Sequence, residues 1–442
     1  MDNKVFFSDY KDFLISSKTE RLCTKEIINR LEASGFKPMD SFKNFSAGSR
    51  FYKVVKGRTV LAGVVGTHPE RLRIIGSHVD SPKLDLKPQP FFEKGKLALV
   101  SLHDYGMIKP YQWVTTPLEL QGIIMLKNGT EVQLSIGENE GEPLFSISDI
   151  PPHIASAQMK QPMSEGFNVA QLNAVVGCLD KSCSQDNAIN KVNSLLKEKY
   201  GIEPGDFTCA DLCLVPHNAP VDIGFDSSLI GAYGHDDRVC VYTSLMALLR
   251  CEVNEKTSIC FFVDKEEVAS TGDTSAQSFV LRNFIRAYVR HLDPSETGTK
   301  DCYDADDLLE QAQAISADVT TAFDPNFPEK FDEVNSAFLG SGVVVEKYGA
   351  AGSGKFRSNE ASAEFMQTIR SIILKESIAW QVGTLARLGI GGGGTIAQFL
   401  SRYGMDCVDA GPCLLSMHSP LEICSKYDIY ETYRLYYGFF IG

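Results

Sequence analysis

The chain has 442 residues, of which 43% are hydrophobic and 22% are charged, the balance of an ordinary soluble globular protein. Its 43 basic and 56 acidic side chains give a net charge of -13, which argues against nucleic acid as the main partner because phosphate binding relies on basic patches. No uncharged apolar run reaches the roughly 18 residues of a membrane span, and the charged N-terminal residues lack the apolar core of a signal peptide. We therefore expect a cytoplasmic protein that binds neither nucleic acid nor a membrane.

The first predicted elements are helical and then extended. Apolar residues recur near a 3.6-residue period up to residue 36, which predicts helix, and Gly35 offers a stop. Residues 51–66 have the alternation and the turn glycine of a β-hairpin. Residues 71–82 begin as an apolar run and end abruptly in polar side chains, which is typical of a buried strand that carries functional groups at its carboxyl end.

Residues 89–221 differ in character from the segment before them. Short β-like runs alternate there with turns, and Asn128-Gly129 is a clear hairpin signal. Because a chain of this length exceeds one ordinary hydrophobic core, we expect two domains. The sequence therefore predicts an inserted, β-rich domain at 89–221, which divides the other domain into residues 1–88 and 222–442.

An α/β pattern resumes after Gly224. Residues 236–251 are predicted to form a helix, and residues 257–264 are an apolar run that leads into two glutamates. The segments 311–319 and 413–420 are again apolar runs that end in polar residues. Polar side chains at several strand ends indicate an α/β fold with a mixed, mostly parallel sheet flanked by helices, and a site along the carboxyl edge of that sheet.

Metal-capable side chains stand beside these strand-like segments or beside a glycine-marked turn. They are His78, Asp236, Glu267, Asp318 and His418, with Glu266 as a further carboxylate. Two hard cations held close together need imidazoles, terminal carboxylates, a shared carboxylate and one free carboxylate for the proton of a bound water. The twelve cysteines include no pair with zinc-ribbon spacing, so we expect reduced, buried thiols and a hydrolytic centre built from nitrogen and oxygen ligands.

His78 and Asp80 lie two residues apart, so in an extended segment their side chains share one face. Asp80 can then hold the second imidazole nitrogen of His78 and fix its tautomer, as the partners of metal-binding histidines do. The alternative is a turn in which Asp80 caps backbone amides.

Two pairs of adjacent acids carry strong local signals. Asp236-Asp237 opens the predicted helix, where an N-cap carboxylate is expected in any case, but one carboxylate can also bridge two metals roughly 3.5–4 Å apart. Glu266-Glu267 is costly to place near a sheet edge unless cations compensate its charge. One glutamate can bind metal while the other acts as general base; the alternative is an exposed acidic helix start. For His418 the alternative is a structural histidine.

In this order, the motifs around these residues resemble those of the aspartyl-aminopeptidase family of dinuclear zinc exopeptidases. The matching segments span essentially the whole chain: SHVDSP, YGHDDRVC, DKEEVAST, ISADVTTAFDPNF and MHSPLEI. The resemblance implies a bridging carboxylate and four further metal ligands, namely Asp236 as the bridge and His78, Glu267, Asp318 and His418. It also implies that Glu266 is the general acid/base and that Asp80 orients His78. Two divalent ions per subunit are expected, with zinc as the first choice and cobalt or manganese as alternatives.

The same resemblance implies an oligomer. The inserted domain is expected to be a dimerisation domain, and the dimers to assemble into a hollow tetrahedral dodecamer with inward-facing sites. His153, in the segment DIPPHIAS, is the candidate for a histidine that reaches the active site of a neighbouring subunit. Residues 345–362 and the glycine run 391–394 are closer to the bacterial branch than to the aspartyl members, so we expect neutral or broader N-terminal residues at least as readily as acidic ones.

These expectations define a metal-dependent aminopeptidase that removes N-terminal residues from short peptides. A hydroxide that bridges the two metals attacks the scissile carbonyl, and Glu266 transfers the proton to the leaving amine. Two alternatives stay open. The same centre can deacylate small N-acyl substrates, and the fold can also serve as a catalytically silent assembly protein.

Overall fold

The computed structural model describes residues 3–179, 187–292, 303–349, 355, 358–387 and 389–442. Two compact units divide the chain. The first unit contains Met1–Asp80, Pro220–Met417 and Leu421–Gly442, and the inserted unit contains Ser81–Ala219 and His418–Pro420. Among the residues that the structure describes, no helix combines the length and the apolar character needed to cross a membrane.

The main sheet of the first unit is built from strands that come from distant parts of the chain. Its members, numbered in chain order over the whole protein, are β1 (Lys37–Pro38), β2 (Arg50–Val55), β3 (Thr59–Val64), β4 (His68–His78), β14 (Lys256–Val263), β15 (Gln313–Ser316), β17 (Val343–Glu346), β18 (Trp380–Val382) and β19 (Asp406–Gly411). Their order across the sheet is β1-β2-β3-β14-β4-β15-β19-β17-β18.

Four neighbouring strands at the centre of this sheet run parallel: β14, β4, β15 and β19. In their register Val263 lies beside His78, and Ser316 lies beside Gly76. The residues that follow these strands therefore reach the same edge of the sheet. The prediction of a mixed, mostly parallel sheet is confirmed, and β2 and β3 form the predicted hairpin.

Helices cover both faces of the main sheet, because side chains of one strand alternate between two hydrophobic clusters. In the first unit the helices are α1 (Asn3–Ser16), α2 (Glu20–Ala33), α5 (His235–Arg250), α6 (Val280–His291), α7 (Ala305–Glu310), α8 (Ala363–Glu376), α9 (Ala397–Leu400) and α10 (Lys426–Ile441). Helices α1, α2, α5, α8 and α10 pack in one cluster, and α6, α7 and α9 in the other. The predicted N-terminal helix is thus two helices, since Thr19 caps a new one.

A second sheet of the first unit contains β12 (Val221–Ile223), β13 (Leu229–Ala232), β16 (Thr320–Thr321), β20 (Cys413–Leu415) and β21 (Glu422–Ser425). Their order is β12-β13-β21-β20-β16. We expected the apolar run at Cys413 to be a strand of the main sheet, and this was wrong. The preceding strand β19 takes that place, and Pro412, which cannot donate a backbone hydrogen bond, separates it from β20.

The inserted unit is formed mainly by one antiparallel sheet. Its strands are β5 (Lys83–Lys94), β6 (Leu97–Tyr105), β7 (Leu118–Met125), β8 (Glu131–Ile136), β9 (Ser146–Ile147), β10 (Asn173–Cys178) and β11 (Ala210–Pro216), in the order β8-β7-β11-β5-β6-β10-β9. Helices α3 (Met163–Gly166) and α4 (Ala188–Tyr200) accompany it. The predicted Asn128-Gly129 hairpin turn joins β7 to β8, and Gly129 supplies the positive φ of 84° that such turns need.

A cavity of about 590 Å³ lies inside the inserted unit. Strand residues such as Leu134 and Leu214 line it on one side, and Val192 and Leu196 of α4 on the other. Its lining is almost entirely aliphatic or aromatic and includes none of the predicted metal ligands. The cavity therefore belongs to this unit and not to the candidate metal site.

Candidate metal centre

His78 is the last residue of β4 and is almost completely buried. Its Nε2 atom lies 3.1 Å from Oδ1 of Asp236 and 3.7 Å from Oδ1 of Asp318. Oε2 of Glu266 is 3.9 Å away from the same nitrogen. One imidazole nitrogen therefore faces three carboxylates that come from three separate segments of the first unit.

Two groups of candidate ligands can be drawn inside the first unit. His78, Asp236 and Asp318 each offer an atom within 4.8 Å of the others. Asp236 and Glu267 also offer oxygens within that distance of each other. The first unit thus brings together four of the five predicted metal ligands, and Asp236 belongs to both groups.

His418 belongs to the short segment that groups with the inserted unit. There its Nδ1 atom lies 2.7 Å from the carbonyl oxygen of Met107, and Nε1 of Trp113 donates to the carbonyl oxygen of His418 at 3.3 Å. The backbone of His418 has a φ of 66°. If Nδ1 donates to Met107, Nε2 is the nitrogen that remains available as a ligand.

Asp80 connects His78 to the two glutamates. The backbone oxygen of Asp80 lies 3.0 Å from Nδ1 of His78, and its carboxylate oxygen Oδ1 is 3.4 Å from the same atom. The two carboxylate oxygens also accept hydrogen bonds from the amides of Glu266 (3.2 Å) and Glu267 (3.1 Å). A hydrogen on Nδ1 of His78 leaves the Nε2 lone pair directed at the carboxylate cluster, which is the tautomer that a metal ligand requires.

The glutamates stand on a tight turn after β14. Lys265 begins the turn with a left-handed φ of 70°, and Glu266–Val268 form a single 3-10 turn. This geometry turns the chain sharply at the carboxyl edge of the sheet, where Asp80 holds both glutamate amides. The side chains of Glu266 and Glu267 are therefore presented at the same edge as His78.

Asp236 and Asp237 point in different directions at the start of α5. The carboxylate of Asp237 accepts a hydrogen bond from the amide of His78 at 3.1 Å, whereas that of Asp236 faces the imidazole. The amide of Asp236 donates to Oε2 of Glu422 at 3.0 Å. The sequence alone could not decide which aspartate belongs to the ligand cluster, and the structure places Asp236 in it.

The cluster concentrates buried acids around one imidazole, and their protonation is strongly perturbed. Burial raises the pKa of Glu266 and of Asp237 well above the usual values, and it also raises the pKa of Asp318. Burial acts to lower the pKa of His78, but hydrogen bonds with Asp236, Asp318 and Asp80 raise it well above its usual value. Divalent cations would reverse both effects, because they stabilise ionised carboxylates and a neutral imidazole.

The donor set fits divalent metal ions. It consists of imidazole nitrogen and carboxylate oxygen, the ligands of catalytic zinc sites, and the acids converge in a buried place where only a positive charge compensates them. Thiolates do not contribute to these groups, and none of the ten cysteines that the structure describes is in a disulfide. Zinc, cobalt and manganese all accept such ligands.

Two buried acids next to this cluster were not predicted. Glu346, the last residue of β17, and Asp409, within β19, are register partners. Glu346 accepts a hydrogen bond from Thr320 at 2.6 Å, and Asp409 accepts one from Thr395 at 2.6 Å. Burial raises the pKa of Glu346 to about 8 and that of Asp409 to about 6. The available signal was an acid that interrupts or ends an apolar, strand-like run, the same signal that identified Asp318.

Comparisons with known proteins agree with a metallopeptidase. A family model described as aminopeptidase I zinc metalloprotease (M18) matches residues 13–440. The probable M18 family aminopeptidase 1 of Borreliella afzelii (strain PKo) is 40% identical over 440 residues, which cover 98% of this chain and 95% of that protein. Its counterpart from Thermotoga maritima is 39% identical over 436 residues, which cover 98% and 95%.

Solved structures give the same result. The M18 aminopeptidase of Thermotoga maritima is similar with a TM-score of 0.93 at 38% identity, and the match covers 99% of this chain and 96% of that one. Aminopeptidase I of Clostridium acetobutylicum has a TM-score of 0.89 at 35% identity, with 98% and 94% covered. The chain belongs to the M18 family of zinc metalloprotease aminopeptidases. The resemblance inferred from the sequence motifs is confirmed.

Proposed function

We propose that this protein is a dinuclear metallo-aminopeptidase that removes N-terminal residues from short peptides. Membership of the M18 family supports metal-dependent aminopeptidase activity. The observation that carries the proposal is the convergence of His78, Asp236 and Asp318, with Glu267 beside Asp236, at one edge of the main sheet. A buried, acid-rich site of this kind is suited to two divalent cations.

The proposed ligands of the first unit divide into two sets that share Asp236. His78 and Asp318 complete the first set, and Glu267 belongs to the second. His418 is the fifth proposed ligand, on the strength of the sequence resemblance alone. Two divalent cations held by these residues, zinc in the first instance, would supply Lewis-acid chemistry: polarisation of a carbonyl and a lowered pKa of a bound water. A peptide with a free amino terminus suits such a centre, because an uncharged amine could itself serve as a metal ligand.

Glu266 is proposed as the general acid/base. Its side chain is oriented towards the cluster, 3.9 Å from Nε2 of His78, while Asp80 fixes its backbone amide. Among the described residues, Glu266 belongs to neither group of candidate ligands, so its carboxylate can take a proton from water and return it to the leaving amine. Asp80 is proposed as a positioning residue. It contacts the ring of His78 and accepts hydrogen bonds from the backbone amides of Glu266 and Glu267, and so holds these residues in place.

The test is a comparison of substrates with free and blocked amino termini. We expect the zinc-supplemented protein to hydrolyse a panel of aminoacyl reporters, neutral as well as acidic, and to leave their N-acetylated counterparts intact. Chelation should abolish the activity, and added metal should restore it. Preferred cleavage of the N-acetylated reporters would identify a deacylase, and two bound ions without cleavage of either class would identify a silent assembly protein.

A homo-oligomer, with dimers assembled into a tetrahedral dodecamer, is also proposed. A solved S. cerevisiae mApe1 dodecamer shares the fold, with a TM-score of 0.77 at 18% identity. The inserted unit exposes an apolar surface at Ile150, Ile154, Met159 and Met163, which a second copy of this chain would cover. His153, exposed on the turn Pro152–Ile154 within this surface, is the proposed contact to a neighbouring active site.

Light scattering is expected to give the mass of twelve chains. In such an assembly His153→Ala should keep the mass and lower kcat/KM, because the side chain acts on the neighbouring site and not on the interface as a whole. A monomeric, fully active wild-type protein would contradict both proposals. The variant Ile154→Asp, in contrast, should lower the mass of the assembly, because it places a charge in the exposed apolar surface.

A further inference from the structure

His235, directly before Asp236 in the chain, is completely buried and bonded at both ring nitrogens. Its Nδ1 atom lies 2.7 Å from the hydroxyl oxygen of Tyr10, and its Nε2 atom lies 3.1 Å from the carbonyl oxygen of Ile230. A carbonyl oxygen can only accept, so Nε2 carries the hydrogen and Nδ1 accepts from Tyr10.

The backbone of Asp236 is tied to the same part of the fold. Its amide donates to Oε2 of Glu422, which is buried on β21. Strand β21 pairs with β13, where Glu422 lies beside Ala232 and where Ile230 accepts the hydrogen of His235. The ring of His235 and the amide of Asp236 are therefore both anchored on neighbouring strands of the second sheet.

Tyr10 is itself rigidly held. It lies on α1 with no exposed surface, and its ring packs 5.0 Å from that of Tyr242. The hydroxyl of Tyr242 in turn donates to the carboxylate of Asp9 at 2.7 Å and lies 3.1 Å from the carbonyl oxygen of Phe6. Helix α1 thus has little freedom to move relative to α5, and its Tyr10 hydroxyl is a fixed point for the ring of His235.

We propose that Tyr10 and His235 are positioning residues that hold the carboxylate of Asp236 in the orientation required for metal binding. The proposal rests on the proposed function in one respect, that Asp236 is a metal ligand. Without the Tyr10 hydroxyl, Nδ1 of His235 is buried without its donor, and the ring and the adjoining Asp236 peptide are free to reorient. Partners that orient metal ligands typically contribute about 10–100-fold to metal affinity.

Tyr10→Phe tests this proposal, because it removes one hydroxyl and no other atom. We expect its zinc affinity, measured by competition with a chromophoric chelator, to fall about 10–100-fold. Excess zinc should restore kcat on an aminoacyl reporter, with little change in KM. A merely structural role for Tyr10 would lower the melting temperature and leave zinc affinity unchanged, which would overturn the proposal.

Tyr288→Phe is the matched control. Tyr288 is also a completely buried tyrosine of the first unit, and its hydroxyl donates to the carbonyl oxygen of Pro69 at 2.8 Å. The substitution removes the same group at a place that does not adjoin a candidate ligand. We expect unchanged zinc affinity; a loss equal to that of Tyr10→Phe would show a general effect of stability and would overturn the proposal.

His235→Asn provides a second variant should Tyr10→Phe fold poorly. An asparagine oxygen can accept a hydrogen bond from Tyr10 near the position of Nδ1, so this variant should bind zinc more tightly than His235→Ala; equal affinities would count against the proposal.

The outcomes also distinguish failure of the positioning proposal from failure of the proposed function. Tighter zinc binding by the wild type than by Tyr10→Phe, without aminoacyl cleavage by either, would support positioning and reject the proposed function. A wild type that binds no zinc would reject both.

Discussion

Glu266→Gln is expected to lower kcat by about 10²–10⁴-fold on an aminoacyl reporter, which is the usual contribution of a general acid/base. Glutamine has nearly the same shape as glutamate, but its amide can neither take up nor return a proton. Because Glu266 lies outside the candidate ligand groups in the described part of the chain, the number of bound metal ions should not change. Steady-state kinetics and metal analysis of the same preparation measure both quantities.

Glu431→Gln is a suitable control for this variant. Glu431 is another glutamate of the first unit that is shielded from solvent, but its carboxylate contacts Arg434 and the amide of Ala379. We expect its kcat to stay within a few-fold of the wild type. If Glu266→Gln retained comparable activity, the proton transfer would have to be assigned to another group. If it lost metal as well, Glu266 would be a ligand and not a general base.

Asp236→Ala is expected to lower activity as strongly as Glu266→Gln, but through loss of bound metal. Asp236 is common to both groups of candidate ligands, so its removal should weaken the binding of both ions. Metal ions contribute several kcal/mol to transition-state stabilisation, and about 4 kcal/mol corresponds to roughly a 10³-fold loss of kcat/KM. The measurements are metal content per chain after gel filtration and kcat/KM with and without excess zinc.

Asp428→Ala separates loss of metal from loss of stability. Asp428 is completely buried and accepts hydrogen bonds from the amides of Gly340 and Gly342 at 2.7 Å. Its removal should lower the melting temperature, since two backbone amides, one of them buried, lose their acceptor, yet the folded protein should bind metal normally. Full metal content in Asp236→Ala, or normal activity at ordinary zinc concentration, would contradict the assignment of Asp236 as the shared ligand.

The strand-end residues could be predicted because their signal is local. His78 and Asp318 each follow a short apolar run, and a buried strand that ends in a polar residue is visible in a window of ten residues. A local pattern could not show which of Asp236 and Asp237 belongs to the candidate ligand cluster. Both residues carry the same group, and only the three-dimensional path of the chain turns Asp237 towards the amide of His78.

Long-range partners left no comparable trace. Tyr10 has an ordinary sequence environment. His235 and Glu422 lie inside the motifs YGHDDRVC and MHSPLEI, but their contacts depend on a helix and a second sheet that meet at the start of α5. The position of β20 illustrates the same limit. Its apolar sequence predicts a strand correctly, but the identity of its neighbours follows from pairing with β16 and β21, which no local pattern encodes.

The strand order of the main sheet also has a consequence for biosynthesis. Strand β4, which carries His78, is flanked in the sheet by β14 and β15, and both are translated only after the whole inserted unit. At about 5–20 residues per second, a nascent β4 waits on the order of 10–40 s with both edges unpaired. Leu72, Ile74 and Ile75 of β4, which are buried in the folded protein, are uncovered during that interval, so ribosome-associated chaperones would matter most then.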